Sequence, residues 1–263
     1  MTYKKLLVSK ENGVATITLN RPEVLNALDG EIEAELGMAI KETGDDEAVK
    51  VLVITGAGRG FCAGRDQRGA MASQQRQPAH PKPSAAVPWD NDIALWQLPK
   101  PVIAAVNGVA VGGGLSIALS CDLIVASEAA TFGEFFIRRA MIASGCTTWL
   151  LPRLVGPHMA KKLLFLGDLI DAKEAERIGL VQFVYPADQF SAKVKELAER
   201  LAKAPAMALG MMKILVNDGL NRDMVTSGRA EKHVDDYVLI PSHSDDIREG
   251  RASFVEGRTA KFK

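Results

Sequence analysis

Three consecutive glycines, Gly112, Gly113 and Gly114, separate an apolar run from a helix-like segment in Val106–Leu119, VNGVAVGGGLSIAL. A strand has to end at these glycines and a helix has to begin there. Glycine at such a junction lets backbone approach backbone or ligand with no Cβ in the way. The first amides of a helix have no intrahelical acceptor. They attract negative charge, including charge that appears only in a transition state. The stretch therefore reads as half of an anion-stabilising site, and the rest of the chain has to supply the other half, a pocket and reactive side chains. Val102–Leu119 is also apolar enough to be weighed as a membrane span. Asn107, Ser116 and the glycines within it favour a buried strand followed by a buried helix.

A second glycine cluster sits in the same setting. Val49–Thr55 is a continuous apolar strand that runs into Gly56-Ala57-Gly58-Arg59-Gly60 and then Phe61-Cys62-Ala63-Gly64-Arg65-Asp66. Upstream, Tyr3–Lys10 and Val14–Leu19 flank Asn12-Gly13 and form a hairpin with a primed turn. Asp29 caps a helix over Glu31–Thr43. Gly69–Pro88, rich in proline and glutamine, reads as a mobile surface loop. Helical spacing resumes at Trp89–Leu98, strands follow at Val102–Val106 and Leu123–Ser127, and one further strand is expected at Leu180–Tyr185. Helices are expected over Leu150–Val155, Met159–Leu166, Ala172–Ile178, Phe190–Lys203, Ala206–Asn217 and Asp223–Ile240. Alternating strand and helix over the first two thirds makes the fold α/β, with residues 1–204 as the core and 205–263 as a helical C-terminal region.

Composition removes several function classes. Lys plus Arg and Asp plus Glu both total 32, so the net charge is zero and nothing favours nucleic acid or a membrane surface as partner. The three cysteines, Cys62, Cys121 and Cys146, form no C-x-x-C pair and read as reduced thiols. The N-terminus lacks an apolar signal region, which makes the expected compartment the cytoplasm. The four histidines, His80, His158, His233 and His243, have no metal-ligand spacing, and no metal is expected. A dinucleotide fold fails because the third glycine of G-x-G-x-x-G would fall at Phe61. Neither a P-loop nor a G-x-S-x-G elbow is present.

Several motifs occur together in order: Ile17-Thr18-Leu19-Asn20-Arg21-Pro22, Leu25-Asn26-Ala27-Leu28, the Thr55–Gly64 glycine cluster, Lys100–Gly108, the triple glycine, Cys121-Asp122, Gly179-Leu180-Val181 and Glu249–Phe254. In this the chain resembles the enoyl-CoA hydratase/isomerase (crotonase) superfamily over nearly its whole length. The resemblance implies a spiral of ββα repeats with two sheets and a helical C-terminal region used for trimerisation, often as a dimer of trimers. It implies an acyl-CoA substrate, with coenzyme A entering as part of that substrate and no separate cofactor. It implies an oxyanion hole of two backbone amides, which by motif position belong to Arg65 and Gly113. Arg21, Leu25, Ala27, Ala63, Asp66 and Gln67 would line the coenzyme A channel, with Arg68 beside them, and Lys261 and Phe262 would complete the site of a neighbouring subunit.

The acid–base residues depart from the pattern. Two glutamates flank the substrate double bond in well-studied hydratases; here Ser116 and Phe136 stand at those places. An unperturbed serine hydroxyl is a poor general base near neutral pH, and phenylalanine is none. Ser144 falls where some isomerases keep an aspartate, and it is also a good cap for the following helix. Glu134 lies two residues from the usual second glutamate; it either swings inward or is a surface or subunit-contact carboxylate. Asp66 contacts ligand or pairs locally, and the Arg65 side chain reaches a phosphate or stays in solvent. Cys146 has no activating histidine near it in sequence. Trp89, Trp96 and Trp149 either shape an acyl pocket or belong to the core. Two readings remain: an acyl-CoA enzyme with a non-standard acid–base set, whether hydratase, isomerase, C–C hydrolase or thioesterase variant, or a coenzyme A thioester-binding subunit without chemistry.

Overall fold

A computed structural model of the chain describes residues 3–67, 90–234 and 245–262. The Gly69–Pro88 loop with His80, and also Arg68, Trp89, Asp235–Ile240 and His243, lie outside the described residues. Strands β1 (Leu6–Glu11) and β2 (Val14–Leu19) pair antiparallel from Leu6↔Leu19 to Glu11↔Val14. Asn12 and Gly13 between them are both left-handed, at φ 51° and 78°, as the primed turn demands.

Helix α1 (Gly30–Asp45) starts where expected, with the Asp29 carboxylate accepting from the Glu31 and Ile32 amides. Next come β3 (Val51–Gly56), β4 (Gly60–Cys62), α2 (Asp90–Gln97), β5 (Val102–Val106), β6 (Val109–Val111), α3 (Gly113–Leu119), β7 (Leu123–Ser127) and β8 (Thr131–Gly133). The chain steps from a long strand in one sheet to a short strand in the other and returns, giving repeated ββα turns. The first sheet has the order β1-β2-β3-β5-β7-β10, with β10 at Phe183–Tyr185, and is parallel from β2 onward. The second has the order β4-β6-β8-β9, with β9 at Ile170–Asp171. Its short strands were not anticipated, because three-residue elements between glycines carry no periodicity.

The unbroken apolar runs of β3 and β5 follow from burial on both faces. Leu52, Ile54, Val102 and Ala104 face the main core with α1 and α3. Val51, Val53, Ile103 and Ala105 face Phe190, Val194 and Ala198 of α7 (Phe190–Ala202). The glycine clusters are the corners where the chain changes sheet. A Cβ at Gly108 would overlap the Arg59 carbonyl of the neighbouring corner, so the two corners stack only without side chains.

After β8 come α4 (Thr147–Val155), α5 (Pro157–Leu166), β9 (Ile170–Asp171), α6 (Ala172–Arg177) and β10 (Phe183–Tyr185). The strand expected over Leu180–Tyr185 is shorter than its apolar pattern. Gly179 turns left-handed and the Leu180 and Val181 amides bond back to Ala175, which closes the end of α6. Ser144 does not cap α4. Cys146 occupies the cap position with no side-chain bond, because Gly145 and Cys146 form a left-handed corner at φ 67° and 59°.

The C-terminal region contains α8 (Ala206–Gly219), α9 (Met224–Val234) and α10 (Asp245–Glu256), the last not anticipated from the sequence. No helix among the described residues is long and apolar enough to cross a membrane. Lys213 fastens α8 to the core. Its Nζ donates to the Leu95 and Lys100 carbonyls at 2.9 and 3.2 Å and pairs with Asp122 at 2.9 Å. Lys213→Met removes the countercharge from the part-exposed Asp122 carboxylate and leaves the Leu95 and Lys100 carbonyls without their donor, which costs roughly 2 kcal/mol. Urea denaturation at pH 7 checks this; an unchanged midpoint would show that the pair contributes nothing net.

Candidate active site

A cavity of about 550 Å³ opens between α1, the segment after β4, α2, the start of α3 and residues 135–145. It is built on the two glycine corners. Gly64 is left-handed at φ 77°, and a Cβ on it would come within 2.7 Å of the Val111 carbonyl and 3.2 Å of Gly113 N. The two backbones therefore lie against each other. Leu28 N donates to Gly64 O at 2.8 Å and Asp66 N donates to Leu28 O at 2.7 Å. Bonds to residues 64 and 66 on one edge turn the Arg65 amide to the other edge. Gly113 is the first residue of α3, after a Gly112 whose own amide donates to Gly133 O at 3.0 Å. Neither the Arg65 nor the Gly113 amide has a hydrogen-bond acceptor among the described residues. A Cβ built on Gly113 would stand 3.9 Å from Arg65 N, so the two backbone segments lie next to each other on the cavity wall.

Arg65, Gly113, Ser116, Ser144, Ala63 and Gln67 all line the cavity. Ser116 is buried, and its hydroxyl reaches the Ser144 carbonyl at 3.1 Å and the Thr147 hydroxyl at 2.8 Å. It ties α3 to the corner before α4. The Ser144 side chain is exposed on the cavity wall. Phe136 also lines the cavity, and a Cβ on Gly112 would stand 3.8 Å from its ring.

Other predicted residues lie elsewhere. Glu134 is fully buried and does not line the cavity, so the expectation of a surface or subunit-contact carboxylate is corrected. It follows Gly133 at the end of β8, inside the packing between that strand and the Gly167 turn. Both its oxygens lack a hydrogen-bond partner among the described residues, and burial alone pushes its carboxyl up to about 8. Asp66 pairs locally with Arg21 at 3.1 Å, and Arg21 also donates to the Ala27 carbonyl at 2.6 Å and pairs with Asp29. Leu25 is left-handed beside the Gly60 corner, and its carbonyl accepts from Ala63 N. Arg21, Leu25, Ala27 and Asp66 do not line this cavity. The Arg65 side chain is half exposed and pairs with Glu33 at 3.3 Å. Lys261 donates its backbone amide to Glu249 at 2.8 Å, away from the cavity of its own chain. Trp96 and Trp149 pack edge to face at 5.3 Å against the core and do not line the cavity. Burial raises the Cys146 thiol, the wrong direction for a nucleophile.

Sequence reasoning passed over Asp92. It is only 6% exposed, lies on the cavity wall and accepts a bond from the Ser120 hydroxyl at 3.4 Å. Burial, opposed by that bond, pushes its carboxyl up to about 7. The signal was available: Asp92 lies three residues before Leu95, so an acid stands on the apolar stripe of a helix.

The sequence pattern of enoyl-CoA hydratase/isomerase matches residues 9–263. The chain is 36% identical to the 1,2-epoxyphenylacetyl-CoA isomerase of Escherichia coli, across 98% of this chain and 97% of that protein. It is also 36% identical to the crotonyl-CoA hydratase of Syntrophomonas wolfei, across 100% and 99% respectively. The crystal structure of enoyl-CoA hydratase subunit I from Geobacillus kaustophilus superposes with a TM-score of 0.89 at 35% identity, covering 99% of this chain and 98% of the other. With the alternation between two sheets and the paired glycine corners at the cavity, these matches place the chain in the enoyl-CoA hydratase/isomerase family.

Proposed function

We propose that this protein is an enzyme acting on acyl-CoA thioesters, and that it stabilises a thioester enolate with the backbone amides of Arg65 and Gly113. The observation that carries this reading is the pair of amides, both without an acceptor among the described residues, on neighbouring backbone segments of the cavity wall. A thioester carbonyl set between them gains both donors, and they strengthen as its oxygen becomes an enolate. The largely apolar remainder, with Leu28, Val111, Ile117, Phe135 and Phe136, suits the acyl chain and keeps water from the reacting carbons.

The acid–base set is non-standard. Ser116 acts as a positioning residue, since its hydroxyl is held by Ser144 and Thr147; Ser144 supplies a polar group at the wall. The alternative is a coenzyme A thioester-binding subunit without chemistry, and Ser116 and Phe136 at the glutamate places favour it. The homotrimer or dimer of trimers implied by family resemblance is supported by exposed apolar side chains on the C-terminal helices, including Val216 at 65% and Phe254 at 88% exposure.

Incubation of the purified protein with a panel of saturated, 2-enoyl and aryl acyl-CoAs, followed by mass spectrometry, decides between the two readings. Conversion of at least one ester is expected. Binding of the esters with no conversion of any would establish the binding subunit instead.

A further inference from the structure

The places where an acid would be looked for near the reacting carbons, residues 116 and 144, carry serines. A carboxylate from another element reaches the same spot. A Cβ built at Gly145 would stand 3.0 Å from Asp92 Oδ2, and also 2.6 Å from Ser116 Cβ and 2.7 Å from Ser116 Oγ. Gly145 is left-handed and has no side chain, and this leaves room for Asp92 between Ser116 and the corner after Ser144. Oδ1 accepts from the Ser120 hydroxyl, which fixes the carboxylate on α2. Oδ2 has no hydrogen-bond partner among the described residues, and the residue lines the cavity.

We infer that Asp92 is the carboxylate that takes a proton from the α-carbon of the bound acyl-CoA and returns it to carbon, with Oδ2 as the accepting atom. This rests on the enolate reading above. In the step, the Cα–H bond breaks and its electron pair forms the Cα=C bond of the enolate. The carbonyl π pair moves to the oxygen held by the Arg65 and Gly113 amides, and the proton forms an O–H bond on Asp92. Return of that proton to Cα restores the ester; delivery to another carbon of a conjugated enolate shifts a double bond. No oxidant, metal or water is consumed.

The surroundings suit a base that works near neutral pH. Burial, set against the Ser120 bond, leaves the carboxyl at about 7. Glu33 on α1 is the acid that faces it and adds to the rise, while Glu33 itself is paired with Arg65. The thiols of Cys62, Cys121 and Cys146, which face it from β4, the end of α3 and the start of α4, are all raised and stay protonated. Arg65 and Arg139 are the cations on the same cavity wall. Deprotonation by Asp92 therefore speeds up as pH rises through about 7 and levels off above it.

The test uses butyryl-CoA and phenylacetyl-CoA in deuterated buffer, with deuterium at the α-carbon followed by proton NMR across pH 5–9. Wild-type protein should catalyse exchange with a break near pH 7. Asp92→Asn keeps the shape and the Ser120 partner; it should bind both esters normally and exchange at least about 10²-fold more slowly, with the break lost. Asp92→Glu should be slower than wild type but retain a break. Asp92→Asn exchanging at the wild-type rate with the same break would overturn the proposal, and the enolate reading would stand if Gly113→Pro still abolished exchange. Ester binding with no exchange by the wild type would overturn both. A binding loss in Asp92→Asn with an unchanged break in its residual rate would also overturn the proposal, since it would make the residue structural.

Discussion

Gly113→Pro lowers turnover of acyl-CoA substrates by about 10²- to 10³-fold, equivalent to roughly 3–4 kcal/mol of barrier, while the protein stays folded. The substitution removes one backbone donor from the gap shared with Arg65 N and adds no charge. The local structure tolerates it. Gly113 is the first residue of α3, where proline is favoured because that amide has no helical acceptor to lose. Its Cβ would meet Leu28 Cδ1 at 3.4 Å, an ordinary contact. The loss should fall on kcat more than on KM, because the amide does more for the enolate than for the ground-state carbonyl. Steady-state kinetics on whichever ester the panel identifies, with circular dichroism to confirm folding, checks this. Retention of full kcat by a folded variant would remove Gly113 from the site's chemistry.

Glu134→Gln makes the protein more stable at alkaline pH, by up to about 5 kcal/mol. Burial raises the folded-state carboxyl from 4.5 to about 8, and both oxygens lack a partner among the described residues. Between those values the unfolded chain has released its proton and the folded chain has not. Stability therefore falls as pH rises from about 4.5 to about 8 and stays level above that. A shift of that size is worth on the order of 5 kcal/mol, an upper bound because buried side chains relax on ionising. Glutamine keeps the size and abolishes the titration. Urea midpoints at pH 4 and pH 9 are the measurement: wild type and variant should agree at pH 4 and diverge at pH 9. Equal midpoints at pH 9 would mean that the carboxylate has found a countercharge.

Local pattern carried much of the architecture. Asn12-Gly13, the Asp29 cap and the apolar runs of β3, β5 and β7 place the first sheet and α1 to within a few residues, because each is a local signal of turn, cap or burial. The strands of the second sheet were missed because they span three residues or fewer and are held by register with neighbours distant in sequence. The left-handed corner at Gly145 and Cys146 displaced the cap expected at Ser144 for the same kind of reason: the corner is shaped by packing on Ser116.

In the cavity, backbone and side chains divide along similar lines. The glycines that position Arg65 N and Gly113 N are visible in the sequence, since a missing side chain is a local property. Which carboxylates reach the cavity is not local. Glu134 is two residues from a position where an acid was sought, yet strand alternation at the end of β8 turns it into the packing. Asp92 lies more than twenty positions before Ser116, and the spiral brings α2 over α3 so that its Oδ2 stands next to Gly145. The sequence alone determined the family and the two glycine corners. Only the tertiary structure decided which acids line the cavity, because burial and proximity are set by elements that the chain joins from far apart.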